Sequence, residues 1–151
     1  MPPRFEFLMR IVADVGEVVT MGGGPLGERR VVAITGGTFE GPQLAGRIEP
    51  GGADWQIVRA DGALDIDARY VMRTEAGARI RVVSQGYRHG PPEVLAALGR
   101  GEDVPPEAYF FRTTMRFETG ARDLEWLNRT LAVASAERKA RQVLLECWRL
   151  L

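Results

Sequence analysis

The sequence predicts an all-β protein, an antiparallel β-barrel of about eight to ten strands formed by a single domain over residues 1–151. Apolar and polar residues alternate along most of the chain, which is the period of a strand with one buried face. Turn sequences such as "EPGG", "DG" and "EAG" separate these segments at short intervals. No long helical segment links one strand to the next, so we expect antiparallel neighbours.

The N-terminal half of the chain predicts five strands. The first alternates so that one face carries Phe5, Phe7, Met9, Ile11 and Ala13. "RRVVAITGGTFEG", "LAGRI" and "ADWQIVRA" follow it, and then "LDIDARYVMRT". This last strand has an apolar face of Leu64, Ile66, Ala68, Tyr70 and Met72, and a charged face that includes Asp65, Asp67 and Arg69.

The C-terminal half predicts four more strands and two short helices. The strands are "ARIRVVSQGYRHG", "YFFRTTMRFETG", "TLAVASAER" and "RQVLLECWRLL". Prolines at 91 and 92 with glycines at 99 and 101 predict a helix near 92–99, and "RDLEWLNR" predicts another near 122–128. Trp55 and Trp148 lie within strand patterns, so we expect both indoles in the folded body.

Glycines inside strand patterns favour a closed barrel over an open sandwich. Gly36, Gly37, Gly46 and Gly86 interrupt otherwise regular strands. Such glycines often mark the sharp bends that a small barrel needs at its corners. We therefore expect a closed barrel of the lipocalin-like or allene-oxide-cyclase-like kind.

The composition narrows the range of partners. The 20 basic residues balance the 20 acidic ones, so no overall charge attracts nucleic acid or a membrane surface. Cys147 is the only cysteine and no segment reaches the length of a membrane span, so we expect a cytoplasmic protein. A net charge near zero gives little repulsion between copies, so we expect a homodimer or a higher homo-oligomer.

No cofactor or metal is expected. Gly22, Gly24 and Gly27 spell GxGxxG, but a strand pattern follows them where a dinucleotide-binding turn needs a helix. His89 is the only histidine, which excludes a zinc site of several histidines.

Several short motifs occur in a specific order along nearly the whole chain, from about 5 to 150. They are "GGTFEGP", "GGADWQ", "LDIDARYVMRTEAGARIRV", "GYRHGP", "YFFRT", "FETG" and "WLN". With this set the chain resembles the family known as domain of unknown function 3237, found in bacteria and fungi. The resemblance implies a mostly antiparallel barrel with an interior of small-molecule size, and it implies no particular reaction.

Four residues are the candidate catalytic groups. Asp54 and Glu40 each lie beside glycines and an aromatic residue that can exclude water, and such burial raises the pKa of a carboxyl group. Tyr109 and Arg112 of "YFFRT" are the polar groups of an otherwise apolar strand, so we expect them to donate to a substrate.

Six further residues are candidates for contact with a small-molecule ligand inside the barrel: Trp55, Asp67, Arg69, Tyr70, Tyr87 and His89. A structural role remains open for Glu40, Asp54 and Asp67, as does a loop position for His89. Asp67 and Arg69 are expected to pair at the barrel rim. The charged face of the 64–74 strand can equally be an ordinary solvent-facing wall.

Three functions remain open at this level. The first is a cofactor-independent isomerase, cyclase, lyase or hydratase that acts on a small carbonyl-containing or aromatic metabolite by acid–base chemistry. The second is a non-catalytic barrel that binds or carries an apolar small molecule. The third is a self-associating scaffold whose interior is filled by side chains. The content of the barrel interior separates them.

Overall fold

The computed structural model contains nine strands, one α-helix and two 3₁₀-helices. The strands are β1 (Phe5–Gly24), β2 (Gly27–Glu40), β3 (Ala45–Ile48), β4 (Gly52–Val58), β5 (Leu64–Thr74), β6 (Arg79–His89), β7 (Phe110–Glu118), β8 (Leu131–Arg138) and β9 (Gln142–Leu150). The helix α1 spans Pro92–Gly99, and the 3₁₀-helices span Pro106–Ala108 and Arg122–Arg129.

All strand pairs are antiparallel, and the sheet closes on itself because β1 pairs with both β2 and β9. The short strands β3 and β4 lie end to end between β2 and β5. β3 pairs with the Met72–Thr74 end of β5, and β4 pairs with its Leu64–Arg69 portion. The predicted antiparallel barrel of eight to ten strands is confirmed.

The two predicted helices are also found at the expected positions. The segment near 122–128 is a 3₁₀-helix, and a third short helix follows Pro105, which the sequence did not predict. None of the helices combines the length and apolarity needed to cross a membrane. Gly37, Gly46 and Gly86 mark close backbone approaches, since an added Cβ at Gly86, for example, would overlap the carbonyl oxygen of Arg112.

The predicted face of β1 is wrong at its start. Phe7 pairs with Trp148 but Met9 pairs with the preceding Cys147, so Leu8 is an extra residue that forms a β-bulge. The bulge reverses the alternation, which leaves Met9 inside the barrel and Phe7 outside. Phe7 packs edge to face on Trp148, with ring centroids 5.3 Å apart.

The expectation of two tryptophans within the folded body is also wrong. Trp55 is 45% exposed and Trp148 is 39% exposed, both on the outer wall. In β4 the inward position beside Trp55 belongs to Gln56, and in β9 the inward position beside Trp148 belongs to Cys147, which is fully buried. The strands were predicted correctly, but the indoles lie on the other face.

One end of the barrel interior is filled by apolar side chains, and we call it the apolar end. Its fully buried residues include Met9, Met72, Ile80, Met115 and Leu127. The 3₁₀-helix Arg122–Arg129 covers this end and supplies Leu127. It is fixed to the end of β7 by two hydrogen bonds between Asn128 and the backbone of Thr119, of 2.7 and 2.9 Å.

Candidate functional site

The opposite end of the interior carries charged side chains from four strands. Arg30 of β2, Asp54 and Gln56 of β4, Arg88 of β6 and Arg138 of β8 line two connected spaces inside the barrel. We call these five residues the polar cluster. They meet only because the sheet closes into a ring, since β2, β4, β6 and β8 are separated along the chain.

Strand alternation places each member of the polar cluster inside. In β6 the inward positions are Ile80, Val82 and Ser84, and the same parity continues to Arg88. In β8 three buried alanines at alternate positions lead to Arg138 in the same way. The arginines therefore occupy the last inward positions of apolar strands, at the mouth of the barrel.

The two spaces differ in size and lining. The inner cavity has a volume of about 50 Å³ and is lined mainly by apolar side chains, with Asp54, Tyr70, Arg88 and Arg138 among its polar ones. The outer space has a volume of about 250 Å³ and extends to α1. We call it the vestibule. Because Arg88 and Arg138 line both spaces, they lie where the vestibule meets the inner cavity.

Asp54 is held in a fixed orientation. Its Oδ2 accepts a hydrogen bond of 2.8 Å from Gln56 Nε2, and its Oδ1 accepts one of 3.0 Å from the backbone N–H of Asp67. Gln56 in turn accepts a 2.8 Å hydrogen bond from Arg30. Burial raises the pKa of Asp54 above its ordinary value, although the two hydrogen bonds and Arg88 act in the opposite direction. A carboxyl group in this state is a candidate general acid or base.

Arg88 and Arg138 have guanidinium groups without an ionic partner in the protein. No carboxylate lies within ion-pair distance of either group, and the buried Nε of Arg88 has no acceptor. Burial, together with the neighbouring charges of Arg138 and Arg30, lowers the pKa of Arg88 to about 10. The Arg88 guanidinium lies 5.5 Å from the centroid of the Phe111 ring, which helps to position it.

Two tyrosines lie at or beside the site, Tyr70 in the lining of the inner cavity and Tyr109 against the end of β8. Tyr70 lines the inner cavity, and its buried hydroxyl makes no hydrogen bond to the protein. Burial raises the pKa of Tyr70, so the hydroxyl stays protonated and can donate. The Tyr109 hydroxyl accepts a 2.8 Å hydrogen bond from the backbone N–H of Arg138 and so fixes the end of β8.

Two of the four predicted catalytic residues lie away from this site. Arg112 is on the outer wall, because Phe111 and Thr113 occupy the inward positions of β7, and it donates to the carbonyl of Phe111 at 2.9 Å. Glu40 is exposed at the end of β2, because Phe39 takes the inward position there. Asp54 lies in the site and Tyr109 beside it; a catalytic role for either stays a prediction.

The aromatic and histidine candidates for ligand contact also face outward, apart from Tyr70. Tyr87 is 50% exposed beneath the Arg59 guanidinium, and His89 stacks on Phe110 at 4.7 Å between ring centroids. Trp55 and Tyr87 border a broad, open depression of about 860 Å³ on the outer wall. None of these three residues lines the inner cavity or the vestibule. They do not face the barrel interior, and their contact with a ligand stays a prediction.

The charged face of β5 is a solvent-facing wall. Arg69 pairs with Asp67 at 3.0 Å, as expected, and Arg59 contacts Asp65 at 3.5 Å. The side chains of Asp67 and Arg69 therefore do not reach the barrel interior. Asp67 contributes to the site through its backbone N–H, which donates to Asp54, and through its charge, which raises the pKa of Asp54.

Four members of the polar cluster were missed from the sequence: Arg30, Gln56, Arg88 and Arg138. The sequence did contain one signal for them. Each lies an even number of residues from neighbouring inward positions of its own strand, so its side chain points to the same inward face. An arginine near a strand end resembles a surface residue unless the closure of the sheet is known.

A family model described as "Protein of unknown function (DUF3237)" matches residues 3–150. The chain belongs to this family. The expected resemblance is thus confirmed. A UPF0311 protein of Rhodopseudomonas palustris is 39% identical over 148 residues, which cover 97% of each chain.

Three solved structures share the fold. The crystal structure of the R. palustris protein superimposes with a TM-score of 0.94 at 37% identity, over 100% of this chain and 99% of that one. A protein of Acinetobacter baumannii described as "beta-barrel like" gives 0.87 at 44% identity, over 100% and 98%. An enzyme from Penicillium herquei gives 0.76 at 23% identity, over 100% and 96%, and shows the fold alone.

Proposed function

We propose that the protein is a cofactor-independent acid–base enzyme in which Asp54 transfers a proton on a small carbonyl-containing or aromatic metabolite. The observation that carries this proposal is the environment of Asp54. A carboxyl group with a raised pKa, held by two hydrogen bonds, lines the same cavity as two arginines without ionic partners. This combination of a base and cationic donors is what proton abstraction beside a carbonyl requires.

The ionised Asp54 carboxylate removes a proton from the carbon next to the substrate carbonyl. The electron pair of that C–H bond forms a C=C bond as the π pair of the carbonyl moves to its oxygen, and the Arg88 guanidinium stabilises the resulting enolate. Tyr70 supplies a second donor from the apolar side of the same cavity. The proton then returns from Asp54 to another atom of the substrate, which completes an isomerisation.

Other outcomes from the same enolate correspond to the other reaction types. Loss of a leaving group from the adjacent carbon gives elimination, and the reverse addition gives hydration. Attack of the enolate carbon on an electrophilic carbon within the same substrate gives a cyclic product. Asp54 and Arg88 have the same roles in each case, so the site supports this group of reactions as a class.

A carrier function is the second candidate, and one observation favours it. Most side chains around the inner cavity are apolar, including Ala13, Val15, Ile34, Ile66 and Leu145. Such a lining suits simple binding of an apolar molecule. The likeness to the P. herquei enzyme supports the catalytic proposal only to the extent that this fold accommodates an active site.

Hydrogen–deuterium exchange tests the catalytic proposal without knowledge of the full reaction. The protein is incubated in D₂O with a panel of small ketones and enones, and loss of the α-proton signal is followed by NMR. We expect exchange with the unaltered protein, and Asp54→Asn should reduce its rate by roughly a hundredfold or more. Asp65→Asn, on the solvent-facing wall of β5, should exchange at the original rate.

The Asp54→Asn variant is designed to keep the fold. The side-chain amide oxygen that this substitution introduces can still accept the hydrogen bond from the backbone of Asp67, which the melting temperature of the variant checks. Equal exchange rates for the protein and Asp54→Asn would exclude Asp54 as the base. Binding of panel compounds with no exchange would instead favour the carrier function.

A further inference from the structure

We infer that the ligand of this site carries a carboxylate, which binds between Arg88 and Arg138 where the vestibule meets the inner cavity. This assignment deepens the proposed function, because it gives a substrate class for the same cavity. That the ligand is a substrate rests on the proposed function. Binding of the anion itself can be measured without turnover.

The polar cluster has an imbalance of charge. Three arginines meet a single acid, Asp54, whose oxygens already accept hydrogen bonds from Gln56 and from the backbone of Asp67. Arg30 is bonded to the neutral Gln56. The cluster therefore holds more positive than negative charge at a position shielded from solvent.

This imbalance is not a property of the chain as a whole, since basic and acidic residues are equal in number. On the surface, some arginines pair with carboxylates, as in Arg10 with Glu146 at 3.0 Å and Arg149 with Glu6 at 2.7 Å, and others, such as Arg112, have no ion pair but are exposed to water. Arg88 and Arg138 differ from the unpaired surface arginines because they line the barrel interior, where burial lowers the pKa of both. A shielded charge without a partner is costly, and an anionic ligand offsets that cost.

Two guanidinium groups meet at the junction of the two spaces. Arg88 and Arg138 both line the inner cavity and the vestibule, and the planar guanidinium group matches a carboxylate with two parallel hydrogen bonds. The ring of Phe111 lies against Arg88 and restricts its movement. A neutral ligand at this junction would leave both guanidinium groups without a counter-charge.

The size of the inner cavity restricts the rest of the ligand. A carboxylate at the junction directs the remainder into the inner cavity, toward Asp54 and Tyr70. It uses only part of the five N–H donors of Arg88, so the same guanidinium can still stabilise the enolate. That cavity has a volume of about 50 Å³, so only a short group of a few atoms enters it. The structure therefore points to a short carboxylic acid with a carbonyl group or a double bond close to the acid.

The test compares crotonate with its neutral isostere crotonamide in NMR titrations of the ¹⁵N-labelled protein. We expect crotonate to bind and crotonamide to bind at least about tenfold more weakly, since a charge-assisted hydrogen bond is lost. Arg88→Gln and Arg138→Gln should each weaken crotonate binding by about tenfold or more. Arg112→Gln, an arginine of the outer wall, is the matched control and should leave it unchanged.

Two further variants keep the test decisive. Arg88→Lys retains the positive charge and should bind crotonate more tightly than Arg88→Gln, which separates loss of charge from loss of folding. Asp54→Asn removes the nearby negative charge and should strengthen crotonate binding. Equal affinity for crotonate and crotonamide would overturn the inference, as would an equal effect of Arg88→Gln and Arg112→Gln.

Inorganic phosphate is the third probe, because arginines also bind phosphate. Phosphate binding that depends on Arg88, with no response to crotonate, would overturn the carboxylate assignment. Failure of the proposed function has a different signature. Crotonate binding that depends on Arg88, with proton exchange that is unaffected by Asp54→Asn, would retain the anion site and exclude the acid–base mechanism.

Discussion

The two ends of the barrel interior differ in packing and in charge. At the apolar end, Met72, Ile80 and Leu127 are fully buried among other apolar side chains. At the polar end, Arg88 and Arg138 lie beside a cavity without ionic partners. Long strands such as β6 line both ends, with Ile80 at one and Arg88 at the other, so strand alternation alone does not separate the two ends. The apolar end therefore stabilises the fold, and we propose that the polar end binds a ligand at some expense of stability.

The largest expected effect on stability is a truncation at the apolar end. Leu127→Ala should lower the free energy of unfolding by about 2–5 kcal/mol, because it removes buried methyl groups and leaves a cavity. Urea unfolding followed by circular dichroism measures it. Leu131→Ala is the matched control on the outer wall, where the side chain is 56% exposed, and should change the value by about 0.5 kcal/mol or less. Similar losses of unfolding free energy in the two variants would contradict the stabilising role of the apolar end.

An opposite effect is expected at the polar end. Arg88→Met should raise the free energy of unfolding by about 1 kcal/mol or more, because it replaces a shielded charge with an apolar side chain of similar length. Arg112→Met on the outer wall should change it by about 0.5 kcal/mol or less. The same urea experiment measures both. A clear loss of stability in Arg88→Met would identify Arg88 as a structural residue.

A smaller effect should appear in the dependence of stability on pH. Burial raises the folded-state pKa of Asp54 above 3.8, so the unfolded chain releases this proton first as the pH rises. The protein should therefore lose stability relative to Asp54→Asn from pH 3.8 upward, through the folded-state pKa. Melting temperatures of the two proteins between about pH 4 and pH 7 should diverge in favour of the variant.

Asp61 provides a control of opposite sign on the surface. The backbone N–H of Ala63 lowers the pKa of Asp61, so its stabilising effect is present above pH 3.8 and is lost as the pH falls through the folded-state pKa. The melting temperature of Asp61→Asn should therefore fall furthest below that of the unaltered protein at neutral pH. Identical pH profiles for Asp54→Asn and Asp61→Asn would contradict the buried position of Asp54.

Much of the fold was predictable because its signals are local. The alternation of β5 predicts its apolar face, and Leu64, Ile66, Tyr70 and Met72 are indeed buried. The β-bulge at Leu8 was not predictable, because it arises from pairing with β9 at the other end of the chain. Alternation describes one strand at a time, whereas register depends on two.

The site was only partly predictable for a related reason. Asp54 and Tyr70 were proposed from their local surroundings, and both line the inner cavity. Arg112 was misplaced because "YFFRT" has two adjacent phenylalanines, which leave the inward face of β7 ambiguous. Arg88 and Arg138 become site residues only when the closed ring brings β6 and β8 to one mouth.

We propose that the polar end, and not the outer wall, binds an anionic ligand. The most direct test is the ¹H–¹⁵N signal of the arginine Nε–H groups during addition of crotonate, with the Arg88 and Arg112 signals assigned by their loss in Arg88→Gln and Arg112→Gln. We predict that the Arg88 signal shifts in a saturable way while the Arg112 signal stays in place. A saturable shift at Arg112 with none at Arg88 would contradict the claim.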